Sequence, residues 1–179
     1  MVDPVTASRQ VHRLLFLAIA ATFLFVRLLP LSAMPARVPG PDLLLCLTLV
    51  WLQRRPDYVP ALLIVAVFLF DDILTMRPPG LWPLVVLLGT EFLRSREATL
   101  RDLPFIVEWL VTSGLITMLS LANWLVLNLF MVPQAGFGPM LLQVITTIAA
   151  YPVVVGFTLF AFGVRKAAKG QVDALGRRL

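Results

Sequence analysis

Residues 41–96 determine the fold, and their sequence is PDLLLCLTLVWLQRRPDYVPALLIVAVFLFDDILTMRPPGLWPLVVLLGTEFLRSR. Three apolar segments alternate here with short turns that carry charges or prolines. Two adjacent aspartates, Asp71 and Asp72, lie inside the middle segment. Because ionisable side chains inside a membrane-length helix are costly unless they are compensated, these two residues require partners elsewhere in the chain.

The composition predicts an all-α membrane protein that forms a single polytopic domain over residues 1–179. Of the 179 residues 59% are hydrophobic, the mean hydropathy is +0.90, and the 14% that are charged cluster between the apolar runs. These values exclude an ordinary soluble domain. The net charge of +5 does not indicate a nucleic-acid partner, because the basic residues flank the predicted membrane segments, where topology explains them.

Six transmembrane helices are predicted, and proline-rich or charged turns separate them. The first is interpreted as a retained helix that follows a polar tail over residues 1–12, because its apolar run is longer than that of a signal peptide and contains Arg27. Asp42 is predicted to cap the second helix, since a carboxylate there meets free amide groups. The predicted helices cover about residues 14–31, 43–52, 59–76, 81–93, 104–131 and 140–164.

The distribution of basic residues predicts that both termini are cytoplasmic. With six helices, only Arg37 and Arg77 lie on the opposite side, and Arg27 lies inside the first helix. Cytoplasmic loops carry an excess of lysine and arginine, so the more basic side is the cytoplasmic one. That side has twelve basic residues: Arg9, Arg13, Arg54, Arg55, Arg94, Arg96, Arg101, Arg165, Lys166, Lys169, Arg177 and Arg178.

Arg27 is predicted to lie at the same depth as the aspartate pair, because each lies about fourteen residues into its helix from the cytoplasmic side. It is expected to pair with Asp71 or Asp72, or else to extend outward to the headgroups. Adjacent helical residues point ~100° apart, so only one aspartate is expected to face the bundle. Asn123, with Asn128 and Gln143, is expected near this depth. The polar centre is an internal ion pair, a ligand site or proton path, or a partner-binding surface.

The sequence contains no recognisable catalytic or cofactor-binding constellation. One histidine and one cysteine cannot build a Cys/His metal site. The two aspartates are adjacent on one helix, whereas aspartyl catalysis requires carboxylates that face each other. Glu91 and Glu108 are expected to be interfacial charges with local partners. We therefore expect no enzyme, no cofactor and no metal site.

The order of these motifs resembles the MreD family of rod shape-determining membrane proteins. Each motif is degenerate, and the resemblance rests on their joint order along essentially the whole chain. One departure is Asp71, since the position before Asp72 is usually apolar in that family. The matching elements are Leu29-Pro30, Pro41-Asp42, the short apolar helix to Trp51, Arg54-Arg55-Pro56, Asp72-Ile-Leu, Pro79-Gly80-Leu, Tyr151-Pro152 and Arg165-Lys166.

The resemblance implies a non-catalytic scaffold or regulator of cell-wall elongation in the bacterial inner membrane. The implied partners are MreC and, through it, MreB and the RodA–penicillin-binding transpeptidase pair, with membrane lipids around the bundle. The family is also similar to the six-helix S components of energy-coupling-factor transporters, so a vitamin-binding carrier is the alternative. Such carriers typically have an Ala-x-x-x-Ala pattern on helix one, which this chain lacks. The candidate structural or partner-binding residues are Arg27, Asp42, Asp71, Asp72, Pro79, Gly80 and Asn123.

Overall fold

The computed structural model describes residues 4–29, 40–100 and 103–162, with side chains from residue 9 onward. These residues form helices and no strand, which confirms the all-α prediction for the described part of the chain. Arg37, Arg101 and the basic tail beyond Phe162 lie outside the described residues. The helices are α1 (Pro4–Leu28), α2 (Leu43–Arg54), α3 (Ala61–Leu74), α4 (Leu81–Ser95), α5 (Glu97–Leu100), α6 (Phe105–Leu129) and α7 (Phe137–Phe162), with a 3₁₀ turn at Pro56–Tyr58.

Three helical segments are long and apolar enough to cross a membrane: Arg9–Leu28, Phe105–Leu129 and Phe137–Phe162. The chain is therefore a membrane protein. Helices α2, α3 and α4 are shorter, with 12, 14 and 15 residues. At ~1.5 Å per residue they measure only about 18 to 23 Å, against a hydrocarbon thickness of ~30 Å.

Helix α1 begins much earlier than predicted. It starts at Pro4, so the expected polar tail is wrong from residue 4 onward. The polar first turns are retained as helix because the 3₁₀ turn packs against them. The His12 ring stacks on Tyr58 with centroids 4.3 Å apart, and the Arg13 guanidinium donates to the Asp57 carbonyl at 3.1 Å. Helices α2 and α4 begin where predicted, and the other helix boundaries differ from the predicted ones by one to three residues.

Helix α2 is bounded by a carboxylate cap and a proline. The Asp42 side chain accepts a hydrogen bond from the Leu45 amide at 2.9 Å, which confirms the predicted cap. At the other end Pro56 lacks the amide hydrogen that a further helical turn would need. Arg55, which precedes it, has left the helical region at φ −149° and ψ 82°.

Helices α3 and α6 end in the same way, each with a methionine in the left-handed conformation. Met76 has φ +55° and Met131 has φ +54°. After α3 the Arg77 amide donates to the Asp72 carbonyl at 3.0 Å, and the Met76 amide donates to the Ile73 carbonyl. This is the Schellman arrangement, whose left-handed position usually holds glycine. A methionine there introduces local backbone strain.

Helix α2 lies in the middle of the bundle and is almost completely covered. Its residues 44–52 are all buried, and α1, α4 and α7 pack around it. Trp51 is fully buried, with its ring centroid 5.6 Å from that of Phe16 on α1 and 6.3 Å from that of Phe162 on α7. Among the other longer helices, α3 packs on α4 and α1, and α6 packs on α4 and α7.

The six longer helices run in alternate directions, so the bundle has two distinct ends. We call the end that contains Arg27 and Asp71 the Arg27 end, and the opposite end, which contains Arg13 and Asp57, the Arg13 end. Helix α1 starts at the Arg13 end, and α7 finishes there, where Phe162 packs on Trp51.

Helix α6 approaches α4 closely at Gly89. A Cβ atom added there would lie 2.8 Å from both terminal methyl groups of Leu119, which is itself buried. The missing side chain therefore allows α6 to pack closely on α4.

Candidate functional site

Asp71 is the centre of an ion cluster at the Arg27 end. Its carboxylate accepts from the Arg27 guanidinium at 2.9 and 3.1 Å and from Arg77 Nη2 at 2.6 Å. The Asp71 side chain is 1% exposed, whereas those of Arg27 and Arg77 are 39% and 31% exposed. The predicted pairing of Arg27 is confirmed, and Asp71 is its partner. The buried carboxylate thus lies between two arginines that reach the edge of the bundle.

Asp72 connects the end of α3 to the start of α4. Its Oδ2 accepts a hydrogen bond from the Gly80 amide at 3.1 Å, and its Oδ1 lies 3.9 Å from Arg77 Nε. Gly80 has φ +103°, a backbone conformation that residues other than glycine rarely adopt. Pro79 precedes it on the exposed surface of the turn. Asp72 therefore fixes the turn over residues 77–80 to the bundle.

The expectation that only one aspartate faces the bundle is wrong, because both are fully buried. Their directions do differ, as the helical geometry requires. Asp71 is directed towards Arg27 on α1, and Asp72 is directed towards the start of α4. Helix α3 packs between these two neighbours, so each aspartate has an interior surface of its own.

Arg77 was missed by the sequence analysis, which treated it only as a loop charge. Its guanidinium binds Asp71 and also donates to the Thr75 hydroxyl at 3.0 Å. The left-handed turn at Met76 is what brings it back over the end of α3. The spacing Asp71-x5-Arg77 across a helix end was the available signal.

A cavity of about 180 Å³ lies beside this cluster, between α2, α6 and α7. Asn123 and Gln143 both line it, as do Asp42 and Arg77. The expectation that Asn123 and Gln143 share one region is therefore confirmed, whereas Asn128 is exposed and does not line the cavity.

Asp42 also ties the beginning of α2 to the middle of α7. Its backbone amide donates to the Thr147 hydroxyl at 2.9 Å, and the Cys46 thiol donates to the Thr147 carbonyl at 3.4 Å. Cys46 is fully buried. Asp42 therefore forms part of the cavity wall and also anchors a helix junction.

A second polar network lies at the Arg13 end. Arg54 on α2 pairs with Glu108 on α6 at 3.1 Å, and their side chains are 5% and 3% exposed. The Tyr151 hydroxyl on α7 donates to the same Glu108 oxygen at 3.0 Å, so three helices meet at this carboxylate. The expectation that Glu108 is interfacial is wrong, because the end of α2 covers it. Glu91 does lie at the surface, where Arg94 is its local partner at 3.3 Å.

These contacts hold helices together and contain no recognisable reactive centre. Asp71 and Glu108 are each bound by arginines, which satisfies their charge. Within residues 4–29, 40–100 and 103–162, no three His, Cys, Asp or Glu side chains are placed to hold a metal ion.

Comparison of this chain with protein-family models, with curated proteins and with solved structures gives no significant match.

Proposed function

We propose that this chain is a non-catalytic membrane scaffold of the MreD type, which regulates bacterial cell-wall elongation and maintains rod shape. The hydrogen bond from the Gly80 amide to Asp72 is the observation that carries the proposal. It joins two elements of the MreD-like pattern, Asp72-Ile-Leu and Pro79-Gly80, and gives both an internal structural role. Asp42, from a third element, caps a helix. Residues that fix a surface in this way are what a protein acting by contact requires.

The proposed arrangement is six membrane spans in the inner membrane, with both termini in the cytoplasm. It is supported by the alternating directions of the six longer helices, with α1 starting and α7 finishing at the Arg13 end. In this arrangement the twelve basic residues of the sequence lie on the cytoplasmic side. The Arg27 end then faces the periplasm.

The proposed direct partner is MreC, and MreB and the RodA–transpeptidase pair are reached through it. The turn over residues 77–80 is suited to such contact because it is fixed at both ends: Arg77 binds the Asp71 carboxylate, and the Gly80 amide donates to Asp72. A surface that is already ordered loses little conformational entropy on binding. Pro79 is exposed on this turn, and Met76, which directly precedes the turn, is 95% exposed.

The test replaces Asp72 with asparagine, which keeps the side-chain shape and removes its charge. We expect less MreC to co-purify from membranes with the Asp72→Asn variant, and we expect cells that carry the variant to lose their rod shape. The variant itself should be present in the membrane at normal abundance. Asp57→Asn is the matched control, since Asp57 is exposed at the opposite end. Normal MreC recovery and normal shape with Asp72→Asn, in cells where the native copy is absent, would contradict the proposal.

The second candidate is a small-molecule carrier of the S-component type. The observation that favours it is the polar cavity at the Arg27 end, beside Asp42 and Asn123. The absence of an Ala-x-x-x-Ala pattern in α1 argues against docking to a transporter module of that kind. Affinity purification from native membranes separates the two, because it recovers either wall-synthesis proteins or transporter ATPases.

A further inference from the structure

Three uncharged polar side chains line the cavity at the Arg27 end without a partner in the protein. They are Ser120, Asn123 and Gln143. Among the residues that the structure describes, none of these side chains makes a hydrogen bond. All three side chains are partly exposed. The buried polar atoms of the same cavity that lack a partner among the described residues are the indole nitrogens of Trp82 and Trp124. Buried polar groups in a membrane protein are nearly always paired, because lipid offers no replacement for water. Two buried indole N–H groups without an acceptor, beside three unpaired polar side chains, therefore indicate a hydrogen-bonding guest.

The charged residues of the cavity are already compensated by the protein. Arg77 is bound to Asp71 at 2.6 Å, and Asp42 accepts the Leu45 amide at the positive end of α2. The groups that remain are one hydroxyl, two carboxamides and the indole N–H groups of Trp82 and Trp124, which offer donors and acceptors together. A neutral guest with several hydroxyl or amide groups matches this set better than an anion or a cation does.

The other walls of the cavity are apolar or aromatic. Leu45, Ile116 and Met140 contribute aliphatic surface, and the rings of Trp82 and Trp124 line the same space. A volume of about 180 Å³ corresponds to about six water molecules at ~30 Å³ each. Sites of this type, apolar with a few convergent polar groups, are typical of small-molecule binding. A compact ring with an apolar face and a hydroxyl-bearing edge fits both kinds of wall.

We infer that this cavity binds a neutral, hydroxyl-rich ring, namely a single saccharide unit, through Ser120, Asn123 and Gln143. The unit is either a free sugar or the headgroup of a glycolipid in the leaflet at the Arg27 end. The inference does not depend on the proposed scaffold function, since a scaffold can hold a glycolipid and a carrier can hold a free sugar.

The experiment is native mass spectrometry of the full chain, solubilised in a polyoxyethylene detergent that carries no sugar. The probes are methyl glucoside, monoglucosyl diacylglycerol and, as a lipid without hydroxyl groups on its head, phosphatidylethanolamine. We expect one equivalent of a glucose-bearing probe to bind. Displacement of the glycolipid by methyl glucoside identifies the ring as the recognised group, and binding of the glycolipid alone identifies the lipid as the source.

The decisive variant is Asn123→Leu, which keeps the side-chain size and removes the hydrogen bonds. We expect it to weaken binding of the glucose-bearing probe about tenfold, the effect of one lost hydrogen bond that the bound ligand shields from water. Asn128→Leu is the matched control, because Asn128 is exposed on the same helix outside the cavity. Gln143→Leu and Ser120→Ala, judged by the same criterion, keep the test valid if Asn123→Leu does not fold.

Three results would overturn the inference. The first is that no glucose-bearing probe binds the unmodified chain. The second is that Asn123→Leu and Asn128→Leu bind the probe equally well, which would place the probe elsewhere. The third is that phosphatidylethanolamine binds in preference to both glucose-bearing probes with the same dependence on Asn123, which would make the site one for a charged headgroup.

Discussion

Replacement of Glu108 by glutamine tests the structural role of the polar network at the Arg13 end. The variant keeps the size of the side chain and an oxygen acceptor, but it leaves the Arg54 charge buried without a counter-charge among the described residues. The two side chains are 5% and 3% exposed and lie 3.1 Å apart. Breaking such a buried pair by removing one partner typically costs ~3–5 kcal/mol. We expect about 3 kcal/mol, because the glutamine oxygen still accepts a hydrogen bond.

The free energy of unfolding is measured in mixed micelles by titration with dodecyl sulfate, with helical circular dichroism as the signal. Glu91→Gln is the control, because the Glu91–Arg94 pair is a surface pair, with side chains 48% and 30% exposed. Such pairs are worth ~0–1 kcal/mol. The double variant Arg54→Met/Glu108→Leu should recover most of the loss, since an apolar replacement leaves no unpaired charge.

The reasoning would be refuted if Glu108→Gln lowered the unfolding free energy no more than Glu91→Gln does. It would also be refuted if the double variant were less stable than Glu108→Gln, because the pair itself, and not the unpaired charge, would then supply the stability. Agreement of both comparisons with expectation would establish that the network joins α2, α6 and α7.

Two further substitutions test backbone features with the same titration. Gly89→Ala should lower the free energy of unfolding by ~1–3 kcal/mol, because the added methyl group lies 2.8 Å from Leu119. Gly114→Ala is the control and should be neutral or stabilising, since a methyl group there meets nothing within 4 Å. Equal unfolding free energies for the two variants would show that Leu119 moves aside freely. Met76→Gly should raise the free energy of unfolding by ~1 kcal/mol, because glycine relieves the strain of the left-handed conformation. Met118→Gly within α6 is the control and should lower it by ~1 kcal/mol. A lower unfolding free energy for Met76→Gly would contradict the strain argument.

Depth along the helices was sufficient to predict the pairing of Arg27 with an aspartate. The prediction placed both residues about fourteen positions into a helix, and a ~1.5 Å rise per residue then puts them at one level. Helix α1 in fact begins at Pro4, but Arg13 and Asp57, which lie equally far before Arg27 and Asp71 in the sequence, contact each other at the opposite end. What depth could not predict is that both aspartates are buried. That outcome depends on α3 lying between α1 and α4, which is a property of the packing and not of any single helix.

The contacts that the sequence analysis missed all cross between helices or turns. Glu108 was interpreted by its sequence neighbours, whereas its partner Arg54 is 54 positions away. Arg77 was interpreted as a loop residue, because the left-handed turn at Met76 that directs it back to Asp71 is rare for methionine. Local patterns predict where helices begin and end; which ends meet is decided by the packing around α2.

The short helices α3 and α4 have a consequence for the surrounding bilayer. They pack against each other on one flank and expose Leu62, Phe70, Leu84 and Leu88. In the six-span arrangement these helices of 14 and 15 residues supply only about 21 to 23 Å of apolar height, against about 38 Å for α6 and α7. A bilayer must thin to match a short hydrophobic surface, at a fraction of a kcal/mol per ångström. If the chain has the proposed six spans, the bundle deforms the membrane on the α3–α4 flank only. A transmembrane helix that replaces lipid on this flank is then favoured by release of that deformation before any specific contact forms.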